Sequence, residues 1–360
     1  MKHRQIGIGK IGPVNSDGHA IGLDIGATSI RAAILELGTL EGRPSVTVHG
    51  LGSVPLPAGT VVNGVVSDPP ALTIALKGLW EVNRFGCHNV ILGIANPQVL
   101  VRDMQIPNLS PQQRTKALPF QAREIVALPI DQVTLDFVQL GVADPKTNLV
   151  GGLLVATPRQ PVLAAVEAVE RAGLKVARVD LSSFAVLRSI ADEHLSVEAV
   201  IDLGAHLTTI VIHDRGVPKL VRTLARGGQA LTAQLAQRLS LSIEQAELAK
   251  HQIGLVGAQA AVSGALNEGI RPLLSEIRSS VNYFRSANDG AQLERISLTG
   301  GASALHGLAG VLSEQNGVPT NVVTPMQYIR NRWASKELRT DGSDRSASAV
   351  SLGLAMGAAA

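Results

Sequence analysis

The sequence predicts an α/β fold built from two related lobes that face each other across a cleft. The string Asp24-Ile25-Gly26-Ala27 returns as Asp202-Leu203-Gly204-Ala205, and each copy lies between two β-rich runs joined by small residues. Such self-similarity is economically explained by internal duplication. The chain has 360 residues, 45% of them apolar, which exceeds one ordinary domain and can fill two cores.

Residues 1–19 form a basic tail carrying Lys2, Arg4 and Lys10, and the first lobe spans 20–88. Its runs at 21–37 make two strands around the bend Gly26-Ala27-Thr28-Ser29, and Val46 to Val54 extends the meander. Proline-rich loop follows from Pro55 to Pro70. Ser67-Asp68-Pro69 then caps a helix with Leu72, Leu76, Leu79 and Trp80 on one face, stopped at Gly86.

Residues 89–174 change character and read as an inserted α+β subdomain, with Pro119 expected to kink or split its first helix and Gly173 to end its second. A connecting strand and helix, 175–196, return to the first lobe. The second lobe, 197–345, repeats the strand meander, then shows helical patterns at Gln229–His251 and Gly264–Ser286, the strand Arg295–Leu298, and a helix from Ala304. Residues 346–360 close the chain as a small-residue helix.

Composition excludes several classes. No run approaches the ~18 apolar residues of a membrane span, and the basic start lacks the apolar block of a secretory signal. Cys87 is the single cysteine, so neither an intrachain disulfide nor a thiol-rich metal site is available. Aromatics are 2% of residues, too few for base-stacking platforms, so nucleic acid is not expected as a partner. A cytoplasmic location fits best.

The repeated loops carry the chemistry. Polyphosphate needs converging backbone N–H groups, and bends of Gly, Ala, Thr and Ser let the backbone approach closely. Gly26, Ala27, Thr28 and Ser29 supply one such bend and Gly204 and Ala205 the other. Asp24 and Asp202, at the ends of their strands, are placed to hold hydrated Mg²⁺, an ion that keeps several waters. A third element, Leu298-Thr299-Gly300-Gly301-Ala302-Ser303, runs a strand into a glycine turn that can pass close to a nucleoside. No Walker string occurs.

In this order the three elements resemble the actin-like (ribonuclease H-like) ATPase superfamily, over most of residues 20–358. The resemblance implies ATP and Mg²⁺ as ligands. It makes Ser182–Ile190 and Ser348–Met356 the two connecting helices, and Glu247 and Lys250 a helical pair that contacts adenosine, against the alternative of a solvated face. Gly227-Gly228 matches the paired glycines after the second hairpin. Asp180 either polarises an attacking water, with slow hydrolysis, or caps the helix that follows it.

The inserted string ALPFQAREIVALPIDQVTLDFVQLG and the later VDLSSFAVLRSI resemble the PilM family of type IV pilus assembly proteins, which are related to FtsA. That implies a cytoplasmic ATP-binding scaffold beneath the inner membrane, with a groove at the insertion that receives the N-terminal cytoplasmic peptide of a PilN-like membrane protein. Membrane contact would then be indirect. A small-metabolite kinase and a filament-forming protein, with self-association, are the alternatives on the same fold.

Overall fold

The computed structural model describes residues 19–40, 43–327 and 346–357. Most of the basic tail and the polar stretch Arg332 to Arg345 lie outside them.

The first lobe opens with β1 (His19–Ile25), β2 (Ser29–Leu40) and β3 (Arg43–Pro55), an antiparallel meander. The loop after it, where the sequence predicts no strand, holds a small hairpin, β4 (Val61–Val62) and β5 (Val65–Val66). Helix α1 (Pro69–Asn83) starts on Asp68, whose side chain accepts from Ala71 N, and buries the four expected residues. It stops at Arg84, in the left-handed region at φ 52°, two residues before Gly86.

Strand β6 (Asn89–Ile94) pairs parallel with β1. It therefore belongs to the first-lobe sheet, although the sequence reading grouped it with the insertion. The inserted sheet consists of β7 (Leu100–Pro107), β8 (Val133–Gln139) and β9 (Leu149–Pro158), ordered β7-β9-β8, with α2 (Pro111–Gln121) packed on it. Pro119 neither splits nor shortens this helix early. It sits in the last turn, and the helix ends two residues later with Ala122 N–H donating to Leu118 O. Helix α3 (Arg159–Arg171) packs on α1, and β10 (Lys175–Leu181) completes the first sheet as β10-β6-β1-β2-β3.

After α4 (Ser182–Ile190), the second lobe repeats the plan with β11 (Val197–Leu203), β12 (Thr208–Asp214) and β13 (Val217–Leu224). The expected long helix from Gln229 is two: α5 (Gly228–Leu239) and α6 (Ile243–Ile253). Ser240 turns left-handed at φ 51°, and Ser242 with Gln245 forms a capping box for the second. Next come α7 (Ala260–Ala287), β14 (Arg295–Thr299), α8 (Leu308–Asn316), β15 (Thr320–Val322) and α9 (Ala349–Met356). Helix α8 begins four residues later than expected because Gly307, at φ 87°, occupies its N-cap. The sheet order β13-β12-β11-β14-β15 matches the first sheet with the same strand directions.

The lobes join through α4 and α9, which pack on each other. Helix α9 lies on β1 and β2 of the first lobe, and α4 reaches β11 to β13 of the second. Small residues permit the contact: a Cβ on Gly353 would lie 1.8 Å from Ala185 O, and one on Gly22 would lie 2.0 Å from Ser351 O. Both neighbours are backbone and cannot rotate away. Gly22→Ala should therefore lower unfolding free energy by about 2–3 kcal/mol, the upper range for an overpacked core. Urea denaturation reads it, and a loss below ~0.5 kcal/mol would show that the helix yields.

Candidate functional site: a two-lobed cleft with paired carboxylates

Antiparallel pairing fixes what faces the cleft. In the first hairpin Asp24 stands opposite Arg31, and in the second Asp202 stands opposite Thr209. Each bend closes on itself, Gly26 N donating to Ser29 O at 3.0 Å and Gly204 N to Leu207 O at 2.9 Å. Gly228 and Gln229 stitch the second bend to α5, with Gly228 N donating to Gly204 O and Gln229 N to Ala205 O, both at 2.9 Å.

Between the lobes is a cavity of 540 Å³, within the range of small-molecule sites. Of the residues expected from sequence, Asp24, Gly26, Ala27, Thr28, Asp202, Gly204, Ala205, Gly228, Glu247, Lys250, Gly300, Gly301 and Ala302 all line it. Ser29 and Ser303 stand behind the lining. Ser29 O takes the Gly26 bond, and buried Ser303 donates its hydroxyl to Gly300 O at 2.7 Å, holding the third turn in shape.

That turn is tightly built. Gly300 has φ +90°, and a Cβ there would meet Asp202 Oδ1 at 2.3 Å. Only glycine lets the turn come so close to the carboxylate. Ala302 N donates back to Leu203 O at 2.9 Å, and Gly301 has open space beside it.

Lys250 is buried and its ammonium is fully engaged, with Thr232 Oγ1 at 2.8 Å, Gly228 O at 3.3 Å and the Glu247 carboxylate at 2.7 and 2.9 Å. It ties α5 to α6 and orients Glu247. Burial pushes the Glu247 carboxyl up, but hydrogen bonds from Lys250 and Thr232 outweigh it and hold it below its ordinary value. Glu247 stays ionised and half-open to the cleft.

Asp180 departs from both expectations. It is 1% exposed and does not line the cavity. One oxygen accepts from Leu181 N at 2.8 Å and the other from Arg188, while Leu181 is the N-cap of α4, which has no side-chain cap. It is a structural anchor, held there because Arg188 also donates to Gly353 O at 2.9 Å.

Arg31, His206, Thr209 and His251 line the cavity without having been singled out by sequence. Arg31 carries the clearest signal in hindsight: it lies seven residues after Asp24, as Thr209 does after Asp202, the spacing that brings the two sides of this hairpin together. Its Nη1 is 4.0 Å from Asp24 Oδ2, and its Nε is buried without a hydrogen-bond partner.

This donor set suits a hydrated Mg²⁺ and an anion. Burial raises the Asp24 carboxyl above its usual range, partly offset by Arg31. Burial first, then the Asp24 charge, pushes Asp202 up to about 7. Two carboxylates that repel one another across a cleft, beside an arginine with an unspent donor, form a site that a cation and an anion could complete. Because the native state keeps the Asp202 proton after the unfolded chain has lost it near 3.8, stability of the metal-free protein should fall as pH rises from about 4 to about 7. Asp202→Asn should flatten that fall, making the variant more stable than the parent at about pH 8. Scanning calorimetry in chelator checks this, and parallel pH profiles would refute it.

Comparisons with known proteins identify the fold and the family. A solved PilM–PilN type IV pilus biogenesis complex superposes with a TM-score of 0.79, at 28% identity over 94% of this chain and 98% of that one. The MreB5 of Spiroplasma citri bound to ADP superposes at 0.54 with 12% identity, covering 93% and 94%, a likeness of fold. The cell division protein FtsA of Pseudomonas aeruginosa is 26% identical over 374 residues, 88% of this chain and 87% of that protein. FtsA of Bacillus subtilis is 24% identical over 266 residues, 67% of this chain and 59% of its own length. The fold is the actin-like one. The family model of the type IV pilus assembly protein PilM matches residues 22–359, through both lobes, the insertion and the cleft, and the chain belongs to that family.

Proposed function

We propose that this protein is a Mg-ATP-binding scaffold of a type IV pilus assembly complex, cytoplasmic and peripheral to the inner membrane, that holds the N-terminal cytoplasmic peptide of a PilN-like partner. The observation that carries the nucleotide reading is the facing pair Asp24 and Asp202, set beside two small-residue bends in one cavity. In this reading the bends and Arg31 take the phosphates, the two aspartates hold the hydrated metal, and Glu247 with the Gly300-Gly301-Ala302 turn takes the nucleoside.

Bound nucleotide would neutralise the carboxylate pair and bridge the lobes. Among the described residues the carboxylates lining the cleft are Asp24, Asp202 and Glu247. The first two are committed to the metal and the third to Lys250 and Thr232, so no carboxylate is left over to activate water. The nucleotide acts chiefly as a structural ligand.

The partner reading rests on family membership and on a charged seam between the first lobe and the insertion. Arg178 on β10 has Nε and Nη1 buried without hydrogen-bond partners, and it feels the charges of Asp180 and, across the seam, Asp136 on β8. Burial holds its guanidinium below the usual value, the mark of a cation not fully compensated. An extended peptide that opens this seam as it binds would supply carbonyl acceptors. No helix among the described residues is long and apolar enough to cross a membrane, which fits attachment through a partner.

At ~100 times its dissociation constant, Mg-ATP should stabilise the fold by about 2.7 kcal/mol. Asp24→Ala and Asp202→Ala should each reduce the shift in melting temperature, and no shift at millimolar nucleotide would overturn the nucleotide reading. Arg178→Ala should weaken capture of the cytoplasmic N-terminal peptide of the membrane partner at least tenfold while leaving the Mg-ATP shift intact. Calorimetric titration with that synthetic peptide tests it, and unchanged affinity would remove the seam from the site.

A further inference from the structure

At the opposite end of the first-lobe sheet from the cleft, three chemistry-bearing side chains converge from three adjacent strands. His19 begins β1, Glu36 lies directly across from it on β2, and His49 comes from β3. A bulge makes this possible. Ile34 pairs with Gly50 and Leu35 with Val48, so His49 is the extra residue of β3 at that point. His49 Nε2 lies 2.6 Å from Glu36 Oε2, and the two imidazoles meet edge to face with centroids 4.9 Å apart. One ligand atom from each residue lies within 4.8 Å of the other two.

We propose that His19, Glu36 and His49 form a binding site for a late first-row divalent cation, best matched by zinc. Two imidazole nitrogens and one carboxylate oxygen are a recurrent zinc donor set, with water free to take the fourth position. Bonds of ~2.0–2.1 Å place tetrahedral ligand atoms about 3.3 Å apart, so the triad has to draw in by about an ångström or two from its present spacing. Magnesium is disfavoured because it demands oxygen donors. A plain ion pair does not account for the arrangement. His49 and Glu36 are 41% and 51% exposed, where such a pair contributes little, and it needs no second imidazole.

The site is separate from the nucleotide metal. His19 precedes Asp24 by five residues on one strand, about 16 Å at strand rise. An ion there would cross-link β1, β2 and β3 at the end of the sheet away from the cleft, fixing the outer edge of the first lobe.

The test uses untagged, chelator-stripped, full-length protein with Mg-ATP present to occupy the cleft, and zinc chloride as the probe in equilibrium dialysis. The expected result is one zinc per chain at micromolar free metal, a raised melting temperature, and at least tenfold weaker binding in both Glu36→Gln and His49→Ala. Asp24→Ala should leave zinc binding unchanged. No zinc retained by the parent, or equal retention by Glu36→Gln, would overturn the proposal. That isosteric change leaves the strand pairing in place, and an undiminished Mg-ATP shift shows that the variant is folded.

Discussion

The crossing of α4 and α9 is the contact on which the other parts depend. Each helix follows one lobe and packs on the sheet of the other, so this seam joins the two cores, with β13 against β7 of the insertion as a second contact. Backbone lies against backbone there, at Gly353 against Ala185 and Gly22 against Ser351. Such a contact has little freedom to slide, because no flexible side chain lies between the elements to take up a change.

The electrostatics of the cleft follow from that arrangement. The duplicated hairpins each deliver an aspartate at the same strand end, and the crossing helices set the two ends face to face. Each carboxylate alone would be an ordinary strand terminus. Brought together and largely buried, they oppose one another, and the charge that relieves them comes partly from Arg31. The same logic explains Lys250. A buried ammonium is costly unless hydrogen-bonded, and Thr232, Glu247 and Gly228 satisfy it while stiffening the wall on which a nucleoside would lie.

How far the sequence was legible depended on whether the determinant was local. The Asp-Gly bends, the Asp68 cap and the Gly300 turn each need a particular residue at a particular backbone geometry, so residue type marks them. Arg31 was not marked, since its role comes from strand register, a property of the paired hairpin. Asn89 to Ile94 was assigned to the wrong subdomain because a parallel strand finds its partner across a long connection, and composition does not record which sheet receives it. The break at Ser240 was hidden because the apolar spacing continues through it. Only the Ser242 and Gln245 box, read as a cap, would have revealed a second helix.

Asp180 shows why the position of a carboxylate in sequence says little about its chemistry. It stands at the end of a strand that leads into a connecting helix, where a water-positioning group would be sought. Its environment assigns it otherwise. Arg188 holds it, the same arginine binds the carbonyl of Gly353, and Arg178 lies next to it on the insertion side. These charges form a contiguous run from the insertion seam to the helix crossing. Removing Asp180 would take from Arg188 its carboxylate partner and leave Arg178 with only the charge of Asp136 to offset it, a cost borne by the fold itself, so loss of nucleotide response in such a variant would report on the hinge before it reported on chemistry.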